Sequence, residues 1–177
     1  MYENKIITEP KWKSWIIQTT TPLFTPDQCN QIIASGRAQK PQQAQVGINK
    51  PGGGTNTKKR VTTISWIPFQ EMGHMYQDLN KFIQQANENH FGFGDIQVTE
   101  QAQFTEYPEG GFYDWHMDCD VNMEHEPPVR KISMTLLLND PSEFEGGDLE
   151  LMAPGKYAEL KQGHAICFAS FLNHRVN

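Results

Sequence analysis

Apolar residues recur along this chain at two spacings, and the change from one to the other divides it. Met72, Met75, Tyr76, Leu79, Phe82, Ile83 and Ala86 fall three and four apart, the spacing that lays one apolar stripe along a helix. The pattern predicts a helix whose stripe packs in the core, broken by Phe91-Gly-Phe-Gly. An earlier helix opens at Thr25-Pro-Asp-Gln28. Thr25 suits the N-cap, Pro26 the first helical position, and Gln28 can complete a capping box. Cys29, Ile32 and Ile33 form its apolar face, and Gly36 is the predicted stop. Trp12 to Gln18 and Val61 to Ile67 are β-branched and aromatic, and read as strands.

From Ile96 onward the pattern is that of strands. Ile96 to Tyr107 reads as one long strand, and Pro108-Glu-Gly-Gly as a turn into a strand carrying His116 and Asp118. After the acidic loop Asp120 to Val129, Ile132, Met134, Leu136 and Leu138 alternate with Ser133, Thr135 and Leu137. Asn139-Asp-Pro makes a turn, and Glu145-Gly-Gly-Asp leads into Leu149-Glu-Leu151. Tyr157 to Lys161 and Ala165 to Ala169, joined at Gln162-Gly163, complete the series. Many short strands with Gly and Pro turns predict a mainly β, α+β domain. Its core is a double-sheet jelly roll (a double-stranded β-helix) with both helices packed outside.

Composition narrows the function. At 177 residues the chain is expected to form one domain, residues 1–177. A net charge of −6 argues against a broad nucleic-acid footprint. The basic run Thr57-Lys-Lys-Arg60 reads as a solvated loop edge. No apolar stretch reaches membrane-spanning length, and the first residues lack the apolar core of a signal peptide. Three cysteines, Cys29, Cys119 and Cys167, with no CxxC spacing argue against a disulfide framework. A reducing, cytoplasmic setting is the expectation. Arg37 to Arg60, polar and centred on Pro51-Gly-Gly-Gly, reads equally as a mobile surface loop or as a lid.

The candidate chemistry is His116-x-Asp118. Residues two apart on an extended segment point the same way, so imidazole and carboxylate can reach one metal ion. His174 is the candidate third ligand, delivered to the far end of the Ala165–Ala169 strand. Two His and one carboxylate on one face of an octahedral ion leave the opposite face open, the ligand set of non-haem Fe(II) oxygenases. His74 and His90 read as helix residues, and His125 and His164 as loop and turn residues. Cys119 reads as a bystander that iron-generated oxidants could reach.

Several ordered segments together resemble the Fe(II)- and 2-oxoglutarate-dependent dioxygenases of the prolyl 4-hydroxylase type, with the bacterial and phage PKHD-type hydroxylases nearest. They are His90-Phe-Gly-Phe, Phe104-Thr-Glu-Tyr-Pro, Gly111-Phe-Tyr-Asp-Trp-His-Met-Asp118, Arg130-Lys-Ile-Ser-Met-Thr-Leu, Asp140-Pro with Glu145-Gly-Gly-Asp-Leu-Glu-Leu, and Asn173-His-Arg-Val176. The resemblance implies that His116, Asp118 and His174 bind Fe(II) and that 2-oxoglutarate chelates it, with O2 as second co-substrate and ascorbate as accessory. It places Tyr107, Thr135, Leu137, Leu149 and Val176 around the co-substrate, and Tyr113 and Arg130 facing the prime substrate. The aliphatic members could equally be ordinary core, and Arg130 a surface ion-pair partner.

The implied reaction converts 2-oxoglutarate to succinate and CO2 while hydroxylating an unactivated C–H, with a prolyl residue of a peptide or protein as the expected target. Asp118, as a third protein ligand, leaves no coordination place for a halide and so favours hydroxylation. A member of the family also holds the far carboxylate of 2-oxoglutarate with an Arg or Lys roughly ten residues beyond the second His, through charge-assisted hydrogen bonds. Here the chain ends at Asn177. The expectation is a domain lacking its last strand, with Arg175 directed away from the pocket. The alternative function is a catalytically weak or inactive metal-binding jelly-roll module.

Overall fold

The computed structural model describes residues 14–44, 56–119, 129–155 and 158–177. Trp12, the Pro51-Gly-Gly-Gly54 centre of the expected lid, Tyr157, and His125 with most of its acidic loop lie outside the described residues.

The first helix, α1 (Pro26–Ala38), starts as its sequence requires. Thr25 is the N-cap, Thr25 Oγ1 accepts from Gln28 N, and Gln28 Oε1 accepts from Thr25 N. It does not stop at Gly36. It runs to Ala38, so the loop expected from Arg37 begins later. Gly36 serves close approach instead: a Cβ there would lie 2.3 Å from the Phe104 ring. The second helix, α2 (Gly73–Ala86), buries Met75, Tyr76, Leu79 and Ala86, the predicted stripe. A π-turn over Asn87–Phe91 ends it, and Gly92, at φ 68°, takes the left-handed position.

Three antiparallel sheets are formed among the described residues. The first orders β1 (Ile16–Gln18), β9 (Ala165–Ala169) and β7 (Ile132–Leu136) as β1-β9-β7. The second orders β3 (Arg60–Val61), β6 (Phe112–His116), β10 (His174–Val176) and β8 (Leu149–Leu151) as β3-β6-β10-β8. The third is β2 (Gln42–Gln43), β4 (Thr63–Ile67) and β5 (Ala102–Glu106), ordered β2-β4-β5. Strand β9 is buried throughout and shows how the layers stack. Its Ile166 and Phe168 meet Leu149 and Leu151 across the interior. Cys167, on the other face, packs with Ala86 and Phe91. Both helices therefore lie outside the double sheet, where Cys29, Ile32, Met75 and Leu79 share a cluster with Ile67 and Phe104.

Four strand expectations need correction. Val61–Ile67 is not one strand. The chain changes sheets at buried Thr62, with Arg60–Val61 pairing with β6 and Thr63–Ile67 with β5. Ile96–Tyr107 is a strand only over Ala102–Glu106, because its partner β4 offers five residues. Residues 158–161 form no strand. Ala158 N returns one hydrogen bond to Leu149 O at 3.0 Å, while Ala158 and Leu160 pack on the core. Finally, Ala165–Ala169 does not itself deliver His174. A turn closed by Leu172 N to Ala169 O at 2.8 Å carries the chain into the opposite sheet, where His174 begins β10. No helix among the described residues is long and apolar enough to cross a membrane.

Candidate metal centre

Strands β6 and β10 are antiparallel, and their register sets His116 directly opposite His174 with ring centroids 4.1 Å apart. The strand ends at His116, so Asp118 is not on it as expected. A hydrogen bond from Asp118 N to Ser170 O at 2.9 Å fixes the backbone there, and the carboxylate still turns between the two rings. Asp118 Oδ1 lies 3.7 Å from His116 Nε2, and Oδ2 lies 3.6 Å from His174 Nε2. Two donors each about 2.1 Å from one ion can be no more than about 4.2 Å apart, so these spacings fit a shared cation. The ligand atoms of all three residues fall within 4.8 Å of one another.

The imidazole tautomers follow from the backbone. His116 Nδ1 lies 2.8 Å from Asp114 O, and His174 Nδ1 lies 3.0 Å from Leu172 O. A carbonyl only accepts, so each Nδ1 carries the proton and each Nε2 turns a lone pair to the centre. The carboxylate is oriented too, since Ser133 Oγ donates to Asp118 Oδ2 at 2.6 Å and lies 3.0 Å from Ser170 Oγ. The site is thus shaped for a cation before one arrives.

Burial, with the neighbouring His174 adding to it, pushes the His116 pKa down to about 4. In the metal-free protein this ring stays neutral where an unfolded chain, at the ordinary 6.5, would take a proton. Its stabilising contribution is therefore full above pH 6.5 and is lost as pH falls toward 4. We predict that NMR titration of the apo protein finds the His116 imidazole neutral at pH 5.5. A midpoint near 6.5 would contradict the buried, paired geometry.

Tyr113 stands beside the centre for a reason the sequence hides. Residues three apart on a regular strand face opposite ways. Here His174 pairs with His116 and Val176 with Tyr113, so three steps on β6 match two on β10. This bulge turns Tyr113 to the same side as His116, and the rings stack at 3.4 Å with 15° between planes. Tyr107 is half-buried. Burial pushes its phenol up to about 12 against the opposing pull of Arg60, so it remains a neutral donor.

The remaining expected residues divide. Ser133, Thr135 and Leu137 share one direction, and the Ser133 bond to Asp118 shows that it is the side facing the centre. Leu149 and Val176 are paired across β8 and β10, in the cluster that includes Phe168. The Phe168 ring stands edge-on to His174 at 4.6 Å. Arg130 is exposed and held by Glu100, with Nε 3.0 Å from both carboxylate oxygens. Arg175 pairs with buried Glu150 and lies 5.1 Å over the Trp115 ring, away from the centre as expected. His74 is exposed on α2. His164 lies near Thr19, with Nδ1 3.1 Å from Thr19 O, and ties the ends of β1 and β9 together.

Three residues at the centre escaped the sequence reading. Ser133 alternates in step with Thr135, and that period could have flagged it. Ser170 had no signal before the turn was known. Arg60 sat in a run read as a solvated edge, but it is 7% exposed, with its guanidinium 4.3 Å over the Tyr113 ring.

Residues 102–177, which contain all three metal-site residues, match the family model of the 2OG-Fe(II) oxygenase superfamily. A PKHD-type hydroxylase of Gluconacetobacter diazotrophicus is 34% identical over 79 residues, 42% of this chain and 35% of the relative. One from Xylella fastidiosa is 37% identical over 89 residues, 44% of this chain and 38% of the relative. The matched stretch thus spans little more than a third of the length of either relative.

The fold likeness reaches further than the oxygenase match. A viral collagen prolyl hydroxylase from Paramecium bursaria Chlorella virus-1 superposes on 93% of this chain and 88% of its own, with a TM-score of 0.69 at 16% identity. A Pseudomonas putida prolyl-4-hydroxylase covers 93% of this chain and 85% of its own, at 0.66 and 20%. The expected jelly roll with outside helices is borne out, as is the resemblance that predicted it.

Proposed function

We propose that this chain is an Fe(II)- and 2-oxoglutarate-dependent dioxygenase that hydroxylates an unactivated C–H, with a prolyl residue of a peptide or protein as its target. The observation that carries the reading is the convergence of two imidazole lone pairs and one carboxylate within 4.8 Å. All three come from one side, leaving the rest of the coordination sphere for ligands. The superfamily match and the prolyl hydroxylase neighbours support the same reading. Ascorbate as an accessory and a reducing, cytoplasmic setting belong with it, and the three cysteines are free thiols.

His116, Asp118 and His174 would hold the iron. When bound, it supplies the redox chemistry by which 2-oxoglutarate, O2 and a C–H bond yield succinate, CO2 and an alcohol. The chain's own residues do the positioning. Asp114 O and Leu172 O hold the imidazoles in the metal-binding tautomer, and Ser133 aims the carboxylate. Neutral Tyr107 can donate to an anionic co-substrate, with Thr135 and Leu137 on the same wall as Ser133. Tyr113 shields one face of His116 from water.

The test is mass spectrometry of reactions containing Fe(II), 2-oxoglutarate, air and proline-rich peptides. Succinate should form in step with addition of one oxygen atom to the peptide. Iron binding with neither succinate nor 2-oxoglutarate consumption would instead establish the inactive metal-binding module.

A further inference from the structure

A guanidinium needs an anion when it leaves water, because burying an unpaired charge is costly. Arg60 is 7% exposed, and among the described residues no carboxylate lies within ion-pair distance of it. Its hydrogen bonds go to neutral oxygens, from Nε to Thr62 Oγ1 at 2.9 Å and from Nη2 to Gln103 Oε1 at 2.8 Å. Other arginines of this region are already engaged, Arg130 by Glu100 and Arg175 by Glu150.

Its position gives that charge a purpose. Arg60 sits over Tyr113, and Tyr113 stacks on His116, so the cation lies one aromatic layer from a metal-site imidazole. Its field also reaches the Tyr107 phenol. The register pairs Arg60 with Tyr113 across β3 and β6, and the hydrogen bond to Thr62 at the sheet change holds the side chain. A fixed guanidinium beside two neutral phenols is a ready carboxylate receptor.

We infer that Arg60 is the anion seat of this centre and receives a carboxylate of a ligand bound beside the metal. This rests on the oxygenase reading above. Two sources share the chemistry: the far carboxylate of 2-oxoglutarate, or a carboxylate next to the target prolyl ring.

Calorimetric binding to the Mn(II)-loaded protein, where no turnover occurs, separates them. One arm compares 2-oxoglutarate with 2-oxopentanoate, which lacks the far carboxylate. The other adds N-acetylproline or N-acetylprolinamide to the 2-oxoglutarate complex. The wild type should prefer the carboxylate member of one pair by roughly 10- to 100-fold, the range of a hydrogen bond to a charged group. Arg60→Gln should abolish that preference while leaving the neutral member's affinity unchanged, and Arg60→Lys should restore part of it. A merely structural role would weaken both members of a pair alike.

The pair that loses its preference names the source. Preferences unchanged in Arg60→Gln, or none in either pair with the wild type, overturn the inference and leave the oxygenase reading standing. Should Arg60→Gln not fold, Arg60→Lys decides: a carboxylate preference reduced in one pair alone supports the inference, and one unchanged in both pairs overturns it. Failure of the metal-loaded wild type to bind 2-oxoglutarate at all overturns both.

Discussion

His174→Ala is expected to abolish Fe(II)-dependent succinate formation, and His116→Ala to do the same. Each imidazole offers a lone pair fixed in direction by a backbone carbonyl, so its removal leaves one nitrogen and one carboxylate. Outer-sphere partners of a metal already account for about 10- to 100-fold in affinity, and a direct ligand is worth at least as much. The loss should appear first as weakened anaerobic Fe(II) binding and then as absent turnover. Stability should fall less. His174 is buried against Phe168 and His116, so its truncation costs about 1–2 kcal/mol, while the more exposed His116 costs less. Uncoupled 2-oxoglutarate consumption at the wild-type rate in either variant would remove that histidine from the centre.

The largest stability effect is expected far from any ligand, at Gly163. Its φ of 76° is left-handed, and a Cβ there would lie 2.0 Å from Phe24 O. That oxygen cannot simply move aside. Gly163 O accepts from Leu23 N at 2.7 Å and from Phe24 N at 3.3 Å, while Gly163 N donates to Leu137 O at 2.8 Å. Gly163→Ala therefore adds a steric overlap of about 1–3 kcal/mol to a backbone cost of about 1–2 kcal/mol. Gly155 is the control: it has the same φ of 76° with nothing among the described residues within 4 Å of its Cβ position. Urea unfolding should show Gly163→Ala losing more stability than Gly155→Ala, which bears the backbone cost alone. Equal losses would mean that the 22–24 segment yields without resistance.

The candidate metal centre was legible because its residues are chemically distinctive and two of them, His116 and Asp118, are close in sequence. His116-x-Asp118 announces itself, and the capping box at Thr25 and the stripe on α2 are local signals that tertiary structure did not override. What stayed hidden depends on partners. Val61 to Ile67 has uniform strand character, and nothing in it says that the chain changes sheets at Thr62. Arg60 looked like the end of a charged loop because burial is decided by what covers a residue, here the Tyr113 ring. Gly36 reads as a helix stop until Phe104, distant in sequence, is known to lie against it. Ser170 gains its place only when the turn after β9 brings its hydroxyl to Ser133.

The bulge in β6 carries a consequence for how this centre can vary. One residue more than the ladder needs frees the carbonyl of Asp114, and that carbonyl receives the His116 Nδ1 proton. The side chains there work elsewhere: Asp114 Oδ2 pairs with Lys59 Nζ at 3.2 Å, and Trp115 lies beneath Arg175. Every residue type has a backbone carbonyl, so substitution at position 114 leaves the imidazole's hydrogen-bond acceptor in place. The protonation pattern of this histidine is written in the length of the strand rather than in its letters, and a single-residue deletion reaches what substitution there cannot.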